Sequence, residues 1–217
     1  GLTDIVRYDQ ARLHDYFSGY IPQQKIYLNT GSSFATTTSW TLPQPADGRF
    51  AFTGYEPMSM AGTVDLGARF ADVNGDGYTD ILWGYYTCAP AHPYGYCYDI
   101  RQTYLNNKVD GWATSTDYAL PLVFVGNNTD SGAVIADING DRLPDLLSST
   151  RDVSNGVENW VKSVYLNTGS GWVSATTTWN IPEPFIDEGS NSGTQVVDVN
   201  NDGLADVIRY IDYNTGD

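Results

Sequence analysis

Histidine, cysteine and basic residues are all scarce in this chain of 217 residues, and each scarcity removes a class of function. The two histidines, His14 and His92, stand beside no nucleophile or carboxylate in a recognisable order. There is neither a serine-centred elbow nor a glycine-rich phosphate loop. No enzyme active site is expected. Two cysteines and His92 fall short of the four ligands a structural zinc site uses. Eleven Lys and Arg against 26 Asp and Glu give a net charge of −15. Nucleic acids and anionic membranes both require clustered cations, so neither is an expected partner. No apolar run approaches the roughly 18 residues of a membrane helix, and Gly1-Leu-Thr-Asp4 does not open like a signal peptide. No segment has a helical period over helical length.

Acidic loops are abundant instead. Asp72-Val-Asn74-Gly-Asp76-Gly-Tyr78-Thr-Asp80 recurs as Asp137 to Asp145 and Asp198 to Asp206, each copy between two short apolar runs. Positions 1, 3, 5 and 9 carry side-chain oxygens: Asp72, Asn74, Asp76 and Asp80; Asp137, Asn139, Asp141 and Asp145; Asp198, Asn200, Asp202 and Asp206. Position 7 (Tyr78, Leu143 and Leu204) offers a backbone carbonyl, and a hard cation needs six to eight such oxygens, which predicts three Ca²⁺ sites. Gly77 and Gly203 at position 6 permit the left-handed backbone of a tight curl, whereas Arg142 replaces that glycine in the second copy. Three carboxylates this close repel one another without a cation. An EF-hand is excluded, because its bidentate Glu at position 12 is replaced by Trp83, Ser148 and Arg209.

The repetition extends beyond the loops. Tyr27-Leu28-Asn29, Tyr104-Leu105-Asn106 and Tyr165-Leu166-Asn167 recur, each followed by a Thr-rich segment holding an aromatic in the same slot: Trp40, Tyr118 and Trp179. These segments read as strands running to Pro43, Pro121 and Pro182, where proline stops a ladder. One repeat therefore reads as four strands: one into the acidic loop, one out of it, the Tyr-Leu-Asn strand and the Thr-rich strand. The last loop aspartates fall at Asp4, Asp80, Asp145 and Asp206, so Asp4 reads as the remnant of a fourth loop. Four antiparallel strands per repeat fit a propeller blade. The fold expected is all-β, a partial β-propeller-like array. Residues 1–217 form one segment, with repeats at about 1–67, 68–132, 133–193 and a partial 194–217. Three repeats cannot close such a ring, so other copies or the rest of a longer chain are expected partners.

On the loops and the Tyr-Leu-Asn segments the chain resembles the FG-GAP and VCBS class of repeats, in which a D-x-[DN]-x-D-G-x-x-D loop joins the first two strands of a blade. The class occurs in integrin α-subunit heads, in toxin-complex and teneurin-like propellers, in polysaccharide-binding proteins and in some lyases. The resemblance implies a propeller and calcium; it specifies no partner.

Cys88 and Cys97 lie nine positions apart in the connection between the second and third strands of a repeat. A local disulfide there fits an oxidising compartment, as do calcium loops and few lysines, so the expected location is extracellular or at a cell surface. The alternative is two unrelated thiols. Asn127-Asn128-Thr129 is a glycosylation sequon. Pro43 to Asp72 spans 29 residues against 16 for Pro121 to Asp137 and for Pro182 to Asp198, so the first repeat has a long loop at 44–67. Phe50, Phe52 and Tyr55 on it, with Tyr94 and Tyr96, are candidate contacts for an unidentified protein or glycan, since binding residues gather on loops. They equally suit filling gaps between blades. The function expected is a calcium-stabilised extracellular interaction module; the alternative is a carbohydrate-binding propeller, or a non-catalytic part of a polysaccharide-active enzyme.

Overall fold

A computed structural model describes residues 4–12, 20–43, 53–55, 63–89 and 96–210, with the backbone alone given for 8–12, 20–23, 53–55, 63, 89 and 96. All regular structure among them is β, and no helix occurs. The first sheet holds β1 (Ile5–Arg12), β2 (Tyr20–Asn29), β3 (Phe34–Thr37), β4 (Thr53–Tyr55) and β5 (Thr63–Asp65), in the order β3-β2-β1-β4-β5. The second holds β6 (Ala68–Ala71), β7 (Asp80–Ala89), β8 (Tyr96–Asn106), β9 (Trp112–Ser115), β10 (Val125–Gly126) and β11 (Thr129–Asp130). The third repeats this with β12 (Ala133–Ala136), β13 (Asp145–Ser154), β14 (Val157–Asn167), β15 (Trp172–Ser174), β16 (Ile186–Asp187) and β17 (Ser190–Asn191). A hairpin of β18 (Thr194–Val197) and β19 (Asp206–Arg209) follows.

Alternation along the strands explains how the sheets stack. Successive strand side chains point to opposite faces, and Ile81 and Leu82 are both 0 % exposed. Ile81 joins Ile26, Leu42, Leu66, Trp83 and Tyr104 in one apolar cluster, whereas Leu82 joins Val73, Tyr118, Leu120, Phe124 and Leu146 in the next. Leu146 and Leu147 divide in the same way between the second cluster and a third around Ile138, Val164, Ile181 and Phe185. A sheet buried on both faces is held between its two neighbours. Aromatic rings join the same layers: Trp40 meets Trp112 edge-on at 5.5 Å, and Tyr118 meets Trp172 at 6.3 Å. Trp179, in the same slot, is 38 % exposed.

Four antiparallel strands do occur in the expected order, as β6-β7-β8-β9 and β12-β13-β14-β15. The sheets are nevertheless mixed and larger than four strands. β6 covers only residues 80–83 of β7, and beyond it β10 pairs in parallel with Tyr85 and Tyr86; β16 adds to β13 likewise, and β4 to β1. Each of these pairs antiparallel with the strand that follows it. The turns at Asn127-Asn128 and Glu188-Gly189 have positive φ at both central residues, the backbone that a two-residue hairpin favours. The span 44–67, expected as a long loop, includes an antiparallel strand pair, β4–β5, whose connection lies outside the described residues.

The Thr-rich strands are also shorter than expected, ending at Thr37, Ser115 and Ser174 rather than at the prolines. Hydroxyls compete for backbone groups here: Thr37 Oγ1 accepts the Ser39 N–H at 3.1 Å, and Thr176 Oγ1 accepts that of Val164 at 3.0 Å. Before β6, β12 and β18 the chain turns at Gly67, Gly132 and Gly193, with φ of 72°, 67° and 77°. Their N–H groups are held by Asp65, Asp130 and Asn191 at 2.7, 2.8 and 2.8 Å.

Candidate metal centre

Each acidic loop closes an antiparallel pair, with Ala71 opposite Asp80, Ala136 opposite Asp145 and Val197 opposite Asp206. Inside the loop, side-chain oxygens collect backbone N–H groups in one repeated pattern. Asp72 accepts from Asp76 and Gly77, Asp137 from Gly140 and Arg142, and Asp198 from Asn201, Asp202 and Gly203. Asn74, Asn139 and Asn200 accept the N–H two residues on, while their amides donate to Asp76, Asp141 and Asp202. Those aspartates hold the N–H of Tyr78, Leu143 and Leu204 at 2.9, 2.8 and 2.9 Å. Left-handed residues at positions 4 and 6 produce the curl: Gly75 and Gly77, Gly140 and Arg142, Asn201 and Gly203. Arg142 adopts φ 70°, so the second loop keeps the common shape with a strained arginine in place of the glycine.

The ninth residue does something that its spacing did not reveal. Asp80 and Asp145 are 0 % exposed, and each carboxylate bridges two separate segments. One oxygen accepts the N–H at loop position 2 (Val73, Ile138 and, for Asp206, Val199) at 3.0–3.1 Å. The other accepts the N–H of the Tyr-Leu-Asn asparagine, Asp80 from Asn106 and Asp145 from Asn167, both at 2.8 Å. Asp4 holds Asn29 at the same distance. The two repeated motifs thus lock together. Burial pushes the Asp80 carboxyl up to about 6; its two N–H donors oppose this, and the charges of Asp76 and Asp72 add to it. Burial raises Asp145 likewise. Hydrogen bonds led by the Gly203 N–H hold Asp198 below the usual carboxylate range.

The three loops form a row. A Cβ on Gly75 would come within 2.9 Å of the Leu143 side chain, and one on Gly140 within 2.8 Å of Leu204, so position 7 of each loop packs on position 4 of the loop before it. The Ala205 N–H donates to the Asp137 carbonyl at 3.0 Å. Pro144 fills the matching place one repeat earlier and has no N–H; there the Asn167 amide donates to the Val73 carbonyl at 2.8 Å.

The donor set suits a hard cation: in each loop three carboxylates, one amide oxygen and the position-7 carbonyl lie within nine residues. A carboxylate oxygen that accepts one N–H retains lone-pair capacity for an ion. No three Asp, Glu, His or Cys side chains converge on one point among the described residues, so Asn and backbone oxygens would have to contribute to any site. No Lys or Arg is ion-paired with the second or third loop among the described residues. The first loop differs, because Lys108 Nζ lies 3.1 Å from Asp76 Oδ2. Burial raises the Asp76 carboxyl, but Lys108, the Tyr78 N–H and the Asn74 amide outweigh it and leave it lowered.

Cys88 and Cys97 form a disulfide, and they do so as directly opposed residues of β7 and β8 rather than within a loop. Of the candidate partner contacts, Phe50, Phe52 and Tyr94 lie outside the described residues. Tyr55 belongs to β4 and Tyr96 to β8, so neither is a loop residue. Lys108 and the asparagines of the Tyr-Leu-Asn segments are the functional candidates that the sequence reading missed. The asparagine repeat was visible, but its carboxylate partner lies 22 to 26 residues away.

Residues 68–87 match the FG-GAP repeat. The matched span is β6, the first acidic loop and β7 as far as Thr87. The chain matches no curated protein.

Proposed function

We propose that this chain is a segment of a calcium-stabilised, β-propeller-type interaction module that works outside the cell, each acidic loop holding one Ca²⁺. One observation carries the reading. The strand-loop-strand unit matched by the FG-GAP repeat recurs at 133–154 and 194–209 with the same Asn and Asp turn bonds, and in all three units the last aspartate holds the N–H at loop position 2. Asp72, Asn74, Asp76 and Asp80, with the Tyr78 carbonyl, would hold the ion in the first loop, and the matching residues would do so in the other two. A doubly charged ion would neutralise carboxylates that otherwise repel one another, and would tie the ends of the two strands. Three such ions would change the formal charge from −15 to −15 + 6 = −9. The disulfide between β7 and β8 agrees with an oxidising location.

Thermal unfolding in about 10 mM calcium and in chelator tests this, alongside a count of bound ions. Extracellular modules bind calcium at roughly 10⁻⁴ to 10⁻³ M, so each filled site stabilises by about 1.4–2.7 kcal/mol through mass action. Three sites then raise Tm by about 10–30 °C. An unchanged Tm with no bound ion would reduce the loops to plain turns.

A further inference from the structure

The turn after each Tyr-Leu-Asn strand is built the same way three times. Asn29, Asn106 and Asn167 accept with Oδ1 the N–H two residues on, from Gly31, Lys108 and Gly169 at 2.9, 2.8 and 2.9 Å. All three of those residues are left-handed, with φ of 87°, 63° and 73°. Glycine adopts that conformation freely; lysine is strained in it. Strain of this kind persists where the surroundings enforce it, and it often marks a functional residue.

What lysine adds here is a contact that glycine cannot make. Its ammonium lies 3.1 Å from Asp76 Oδ2 and 5.3 Å from the centre of the Tyr78 ring, so it touches position 5 of the first loop and sits over the side chain of position 7. The same Asp76 oxygen also receives the Asn74 amide at 3.0 Å. Among the described residues, no cation pairs with the equivalent Asp141 or Asp202. The Lys108 side chain is 48 % exposed, so it can leave for solvent when displaced.

We infer that Lys108 is a tethered counter-ion of the first loop: its ammonium competes with Ca²⁺ for Asp76, weakening calcium binding there and holding the loop's shape when calcium is scarce. The inference rests on the calcium reading proposed above. It makes the first loop the one whose occupancy tracks calcium concentration, with a lysine standing in at the low end. An exposed ion pair is weak and screened, so the effect on affinity is about twofold to fivefold and shrinks as ionic strength rises.

Calcium titration calorimetry of the full chain tests it, comparing wild type with K108M, K108G and K108R. K108G installs the residue that the other two turns use, which removes the strain as well as the charge. The expected result is that K108M and K108G tighten one of three binding events by about twofold to fivefold at low salt, and less at high salt. K108R leaves the isotherm unchanged. In chelator, K108M also melts below wild type. Three binding events with the same affinities in every variant would overturn the role of Lys108 and leave the calcium reading standing. Absence of calcium binding in wild type and all variants would overturn both.

Discussion

Replacing Asp80 by asparagine and following stability across pH measures how unwelcome a charge is at the buried end of the first loop. The wild-type carboxyl is fully buried and titrates at about 6, against 3.8 for the ordinary group. A raised carboxyl pKa means that the folded chain holds the proton more tightly than the unfolded chain does. Its contribution is therefore fully favourable below 3.8 and is lost as pH rises through 6. Between pH 4 and 7.5 the wild type loses about 2–3 kcal/mol from this group. For a chain of this size each kcal/mol shifts Tm by about 2–4 °C, so the loss is about 5–10 °C. D80N cannot titrate there. It also loses an acceptor for Val73 or Asn106, about 1–3 kcal/mol, but that loss does not vary with pH. The quantity to follow is Tm of D80N minus Tm of wild type in chelator, by circular dichroism at both pH values. It should rise by about 5–10 °C from pH 4 to 7.5. With saturating calcium the ionised carboxylate is the wanted form, and the rise should vanish or reverse. A difference in chelator that stays flat or falls would refute the account of Asp80.

Gly67 and Gly77 have similar left-handed backbones, φ 72° and 85°, but a Cβ at Gly67 would overlap the Gly84 carbonyl whereas one at Gly77 meets nothing within 4 Å. G77A should cost about 1–2 kcal/mol of strain alone, and G67A about 3–4 because Gly84 also bonds Gly67 and Phe124; equal losses in Tm would contradict the close approach. N167A should cost about 3 kcal/mol, since it strips the buried Val73 carbonyl of its donor, and N106A about 1, since its amide reaches only Thr79 at the surface. Chemical denaturation reads both, and matched values would remove the bond between the first loop and the following repeat.

How far the fold was readable depended on distance along the chain. The Asp-x-Asn-x-Asp spacing predicted where every loop would close, because side-chain oxygens and glycines must fall at set positions within nine residues to make the curl. Asn155-Gly156, the turn between β13 and β14, was equally legible as a two-residue hairpin signal, yet the broader repeat pattern drew the reading past it. The two-residue strands β10, β11, β16 and β17 were not legible, since so short a run has no period; only Asn127-Asn128 and Glu188-Gly189 hinted at them. The Thr-rich segments misled for a different reason. Their β-branched composition favours extended backbone, but their hydroxyls capture N–H groups that a ladder would need.

Requirements that a handful of consecutive residues must meet by themselves were therefore written in the chain: the curled acidic loops, the alternating strands and the repeat order. Packing decided the rest. Ile81 and Leu82 are adjacent and equally apolar, and only the stacking of sheets sends one into each of two cores. Asp72 and Asp80 are the same residue type at the two ends of one loop, yet one collects N–H groups within the loop while the other, fully buried, ties it to a strand 26 residues away. Lys108 reads as an ordinary surface lysine until the turn that carries it is folded against Asp76. A side chain's chemistry is local, but the charges and donors it meets are set by segments far along the chain, and only the folded arrangement brings them within reach.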